Sequence, residues 1–147
     1  SVGDVATKYL NQARVFLPLG PRAMYLMAKN DRTAVALTKQ LDSGELVDRR
    51  DNDNWTALAL AALAKDSGAV TRLARLGARP GALVGSGEIP VSLLPVLQSD
   101  VQGVRTMRKL GVDYSKVKYR GVSVLDEVRR SGDKNLIDAM GSGAQAL

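Results

Sequence analysis

Short apolar runs alternate with polar, glycine-containing turns along the chain. The stretch "DNDNWTALALAALA" shows this most plainly: a polar turn gives way to a run in which Leu58, Ala61 and Ala62 serve one packed face. Thr56 stands two residues before Leu58, and Ser123, 67 positions later, stands two before Leu125. Both are hydroxyl side chains placed to cap an apolar helix, because their oxygen can accept from a free amide of the first turn. Aspartates recur at Asp66, Asp100 and Asp133, at spacings of 34 and 33. Glycines recur at Gly44, Gly77, Gly111 and Gly143, at spacings of 33, 34 and 32. Asp66 and Asp100 precede their glycine by 11 residues and Asp133 by 10, about three turns of helix. An Asp at the N-cap and a Gly just past the C-terminus produce this phase. Each unit is therefore predicted to run as polar turn, capped first helix, short Asp-containing turn, second helix and Gly. Pro95 falls within the first helix of the third unit, where it should kink or shorten it.

These residues resemble the ankyrin repeat. The second unit, "DNDNWTALALAALAKDSGAVTRLARLGARPGA", carries the resemblance through Thr56, Leu58, Ala61, Ala62, Val70, Leu73, Gly77 and Ala78. The fourth carries it through Gly121, Ser123, Leu125, Gly132, Ile137, Gly143 and Ala144. The first keeps Ala28, Leu41, Gly44 and Asp51, and the third keeps Pro90, Leu93, Val104, Gly111 and Asp113. The family's T-P-L-H histidine is absent, with Ala59 in its clearest slot, which loses a hydrogen bond between neighbouring turns. The resemblance implies an all-α solenoid of stacked helix-turn-helix pairs, with approximate repeats at 21–50, 51–83, 84–117 and 118–144. Residues 1–20 lie outside the phase. Val5, Tyr9, Leu10 and Ala13 at helical spacing point there to a capping helix that hides the apolar end of the stack.

Composition narrows the chemistry. Hydrophobic residues make up 45% but aromatics only 4%, so the core must rest on Leu, Val, Ala and Met. With 14 Gly and 5 Pro, many short helices fit better than a few long ones. The absence of Cys and His excludes a disulfide framework, a thiolate nucleophile, an ordinary zinc site and a His general base. Gly85-Ser86-Gly87 lacks the Gly-Lys-Ser/Thr of a phosphate loop. Ser115 and Lys118 have Ser-x-x-Lys spacing but fall in a charged turn. Asp126 and Glu127 are sequence neighbours that point different ways on a helix. No enzyme, metal or cofactor is expected. The longest apolar run, residues 57–64, is 8 residues against the ~20 a bilayer span needs, so no membrane association is expected.

The formal charge of +6 is unevenly spread. Residues 42–54 hold five acids and two Arg, net −3, whereas residues 101–134 hold nine bases and four acids, net +5. An acidic partner surface is expected opposite the C-terminal half. The chain opens on Ser1 and not on Met, which fits an upstream segment removed as a signal peptide equally with a simple chain boundary. A periplasmic or secreted location is slightly favoured over a cytoplasmic one.

The resemblance implies two working surfaces, the turn tips and the inner face of the first helices. The first turn offers Arg49, Arg50, Asn52, Asp53 and Trp55, the second Leu83, Val84, Ser86 and Glu88, and the third Lys116, Lys118, Tyr119, Arg120 and Val122. The first helices add Leu63, Lys65, Asp66, Gln98, Arg129 and Arg130. Trp55 is the strongest single candidate and Tyr119 the second, since Trp, Tyr and Arg dominate binding hot spots. The expected function is a monomeric, non-catalytic protein-binding module. One concrete form is an inhibitor or immunity-type protein that blocks a hydrolytic enzyme, such as a bacterial cell-wall peptidase. A scaffold, or nucleic-acid binding through the basic half, are the alternatives.

Overall fold

Four helix pairs follow one another through residues 18–141, the part of the chain that the computed structural model describes. The pairs are α1 (Pro21–Met27) with α2 (Asp31–Asp42), α3 (Ala57–Leu63) with α4 (Ser67–Arg75), α5 (Leu94–Leu97) with α6 (Val101–Lys109), and α7 (Val124–Ser131) with α8 (Lys134–Met140). The first helices α1, α3 and α5 lie side by side, and so do the second helices α4, α6 and α8, giving two layers. The fold is mostly helical. Two small antiparallel hairpins interrupt it in the turns: β1 (Leu83–Val84) with β2 (Ile89–Pro90), and β3 (Lys118–Tyr119) with β4 (Val122–Ser123).

Local chemistry explains where the helices begin. The Thr56 hydroxyl accepts from the Ala59 amide at 3.3 Å and is fully buried, so no water can take its place. Ser123 accepts from the Asp126 amide, also at 3.3 Å. Asp66, Asp100 and Asp133 accept from the amides of Ala69, Gly103 and Leu136 at 3.0, 3.0 and 3.1 Å. Each such cap is worth about 1 kcal/mol. The residue before each aspartate is left-handed: Lys65, Ser99 and Gly132 have φ of 56, 51 and 77°. That reversal turns the chain from a first helix into its second.

The helix ends follow the same phase, with one departure. Gly44, Gly77 and Gly111 have φ of 110, 102 and 101°, a region open to glycine at little cost. In the last unit Gly141, at φ 81°, closes α8, in place of the expected Gly143. α8 spans only 7 residues, so its ending comes sooner than the 33-residue phase suggests. Gly143, Ala144 and most of the expected capping helix (1–17) lie outside the described residues.

The core sits between the two layers. Ala57, Ala59 and Ala61 are fully buried on α3, and their small side chains let α1 approach closely. Leu58, Leu73, Val104 and Met107 fill the space between neighbouring pairs, each side chain contributing about 1.5–3 kcal/mol by burial. Pro95 shortens the first helix of the third pair as expected. Residues Val91–Leu93 form a 3-10 turn, and the α-helix that follows is only 4 residues long. The backbones of α5 and α7 do not come as close as those of α3 and α5.

Tyr114 is the largest side chain in the core, and its phenol donates to the Ser92 carbonyl at 2.8 Å. Burial pushes its pKa well above the ordinary tyrosine value.

Candidate docking surface

The three turns project from one edge of the stack, and hydrogen bonds link each to the next. In the first turn, the Asp51 carboxylate accepts from the amides of Asp53 and Trp55, both at 2.9 Å, which folds residues 51–55 into a closed loop. Asn54, left-handed at φ 67°, then meets the second turn along its backbone. The Gly85 amide donates to the Asn54 carbonyl at 2.9 Å, and Asn54 Nδ2 donates to the Gly85 carbonyl at 3.0 Å. The Arg50 guanidinium donates to the Leu83 carbonyl and to Asn54 Oδ1. From the third turn, the Tyr119 hydroxyl donates to the Gly87 carbonyl at 3.1 Å. These bonds tie the three turns together.

Two aromatic candidates therefore have structural work. Trp55 is half-buried, and its ring lies over Gly85, where an added Cβ would stand 3.1 Å from Cη2 and 3.2 Å from Cζ2. Tyr119 is half-buried in the same way, with one ring face under the Arg120 guanidinium at 5.3 Å. Asn52 and Asp53 stay exposed at the first tip, and Arg50 is exposed beside them. Arg49 lies farther in and pairs with Glu45 at 3.4 Å.

Val84 needs correction as a contact residue. It is fully buried, whereas its strand neighbour Leu83 is 44% exposed. Successive residues of a strand face opposite sides, and here the inward side falls to Val84. Asp66 is also committed within the fold: it caps α4, accepts from the Tyr25 hydroxyl at 3.3 Å and lies 3.6 Å from Lys29 Nζ. Bonding to Tyr25 is the main reason the Lys29 ammonium titrates above its ordinary range. Gln98 donates to the Ala62 carbonyl at 3.0 Å and so joins α5 to α3. Arg129 and Arg130 are exposed and pair with Asp126 and Glu127 on their own helix, at 3.8 and 3.0 Å. Lys65 is exposed at the junction of α3 and α4.

Two openings gather the remaining candidates. The first is a cleft of about 430 Å³ between the second and third turns, lined by Leu83, Ser86, Gly87, Glu88, Pro90, Lys118, Tyr119 and Arg120. The second is a larger, mostly apolar groove of about 770 Å³ between the third and fourth helix pairs. Its lining includes Leu93, Val96, Leu97, Val122, Val124, Val128 and Leu136. Leu97 and Val122 are 61% and 43% exposed, and they stand out from the other exposed aliphatic side chains by sharing one apolar opening. Tyr119 and Arg120 line both openings, so the two adjoin at the β3–β4 turn.

Ser86, Glu88, Lys118, Tyr119 and Arg120, expected at turn tips from the resemblance, all line this turn cleft. The apolar groove was missed. Its residues, Leu97 and Val122 among them, come from separate segments of the third and fourth pairs. Arg120 and Gly121 form the two-residue tip of the β3–β4 hairpin, with φ of 51 and 78°. Both values are left-handed, as tight hairpin turns require, and the first position favours Asn or Gly over Arg. No group of three or more acidic side chains placed to hold a metal ion occurs among the described residues. None of the described helices is long and apolar enough to cross a membrane. No protein-family model matches the chain, and no curated protein matches it in sequence.

Proposed function

We propose that this chain is a non-catalytic protein-binding module, an ankyrin-type stack that docks a partner through its turn tips and the groove of its first helices. The carrying observation is the apolar groove between the last two helix pairs, where the exposed Leu97 and Val122 gather beside Tyr119 and Arg120 in one opening. Exposed aliphatic surface costs solubility, and its usual use is to be covered by another molecule. An aromatic and an arginine at its edge match the residue types that carry binding energy at protein interfaces. The net charge of +6 favours a partner with an acidic surface.

Within that class, an inhibitor or immunity-type role fits best. A small stack with stiffened turns presents a preformed face, and preformed faces suit the blocking of an enzyme cleft because little entropy is lost on docking. A hydrolytic enzyme such as a cell-wall peptidase is the proposed target. The test is affinity capture from extract of the source organism, with wild type and a Leu97→Ser, Tyr119→Ala variant in parallel. A single protein retained by the wild type and lost with the variant is expected, together with inhibition of that protein's activity. Equal recovery of the same proteins by both chains would refute the assignment. A shift assay on generic DNA and RNA checks the nucleic-acid alternative. Binding that falls steeply with salt would favour that alternative.

A further inference from the structure

Building on the protein-binding reading, we infer that the last two helix pairs recognise a segment of the partner in which a large apolar side chain stands next to a carboxylate. The groove supplies the apolar half. Its walls are Leu93, Leu97, Val122 and Val128, and its volume of about 770 Å³ is in the range of a well-formed binding site. The two acids on its lining are already engaged: Glu127 pairs with Arg130 at 3.0 Å, and Asp133 caps α8. Both carboxylates keep their charge, so the groove itself suits the apolar side chain and the anionic contact is left to the turn cleft.

The adjoining turn cleft supplies the charged half. Lys118 and Arg120 are exposed and have no carboxylate partner among the described residues, although Lys116, Arg129 and Arg130 nearby all do. Glu88 lines the same cleft, also without a cation partner, so the three charges leave a net +1. Arg120 is held by its stacking on Tyr119 and reaches both openings, so it stands where apolar and anionic parts of one segment would meet. Its backbone is left-handed at φ 51°, a conformation that costs a side chain about 1–2 kcal/mol. An exposed guanidinium beside the groove can take a carboxylate in a paired geometry.

A phage-displayed library of random peptides, selected against the full chain, tests this directly. The enriched peptides are expected to pair a bulky apolar residue with Asp or Glu one or two positions away. A synthetic peptide of the enriched sequence should lose at least about tenfold in affinity against Leu97→Ser. It should weaken and lose its salt dependence against Lys118→Gln, Arg120→Gln, and it should tighten against Glu88→Gln. All four positions are exposed, and far-ultraviolet circular dichroism establishes that each variant is folded. Enriched peptides with no acidic position would overturn the inference, as would equal affinity for wild type and Leu97→Ser, or no enrichment at all. Peptides that ignore Leu97→Ser but are lost with Arg50→Ala would overturn it and leave the protein-binding reading standing. The absence of both an enriched peptide and a captured partner would remove the two together.

Discussion

Replacing Gly85 by Ala should destabilise the protein through the Trp55 ring, and a double-mutant cycle can isolate that contact. Two costs arise at Gly85. Its φ of 73° puts any Cβ in the left-handed region, at about 1–2 kcal/mol. The added Cβ would also lie 3.1 and 3.2 Å from two carbons of the Trp55 ring, closer than ordinary carbon contact. The ring must shift off the turn, with an overpacking cost of about 1–3 kcal/mol. Gly85→Ala is therefore expected to lose about 2–5 kcal/mol. Trp55→Ala loses a half-buried ring and should cost about 2–3 kcal/mol, below the 3–5 of a fully buried one. In the double variant the clash has no ring to meet, so only the backbone cost remains at position 85. The sum of the single losses should exceed the double loss by about 1–3 kcal/mol, the cost of the clash. Urea unfolding followed by far-ultraviolet circular dichroism reads all four proteins, since Trp55 is the chain's only tryptophan and its fluorescence is absent from two of them. Additivity within about 0.5 kcal/mol would refute the seating of the ring on Gly85.

Other expectations follow from the core and caps. Tyr114→Phe should cost about 1–3 kcal/mol in urea unfolding, because the buried Ser92 carbonyl loses its donor. Burial raises the folded-state pKa of Tyr114, so its contribution is complete below the ordinary tyrosine value and is lost as pH rises toward the folded value. Wild-type stability should then fall above about pH 10 more steeply than that of Tyr114→Phe, read by urea midpoints across the alkaline range. Thr56→Ala should cost about 1–2 kcal/mol by losing a buried cap, and Thr56→Ser should restore most of it. Arg120→Gly should raise the thermal midpoint by relieving the left-handed arginine, while weakening any partner that uses the guanidinium.

What was legible in the sequence is what local chemistry decides. Thr56, Ser123 and the three aspartates cap helices because a short oxygen-bearing side chain beside a free amide has the same outcome in any surroundings. Gly77 and Gly111 could be placed because a left-handed helix end favours glycine regardless of what packs on it. The less legible features depend on neighbours. Which of Leu83 and Val84 faces inward is set by the pairs on either side, and a two-residue strand is too short to show alternation. Trp55 stood out as a lone aromatic in a turn, but its ring rests on Gly85, 30 residues later in the chain. The apolar groove arises where the fourth pair does not close on the first helix of the third, a relation no single segment carries.

Site-specific photocrosslinking in extract of the source organism tests the docking surface most directly. A photoreactive side chain is placed in turn at Leu97 and Val122 in the groove, and at Arg75 and Lys109 near the ends of the second helices α4 and α6. Adducts to one and the same protein from Leu97 and Val122, with none from Arg75 or Lys109, are predicted. Adducts confined to Arg75 and Lys109 would contradict the assignment of the groove as the face that binds.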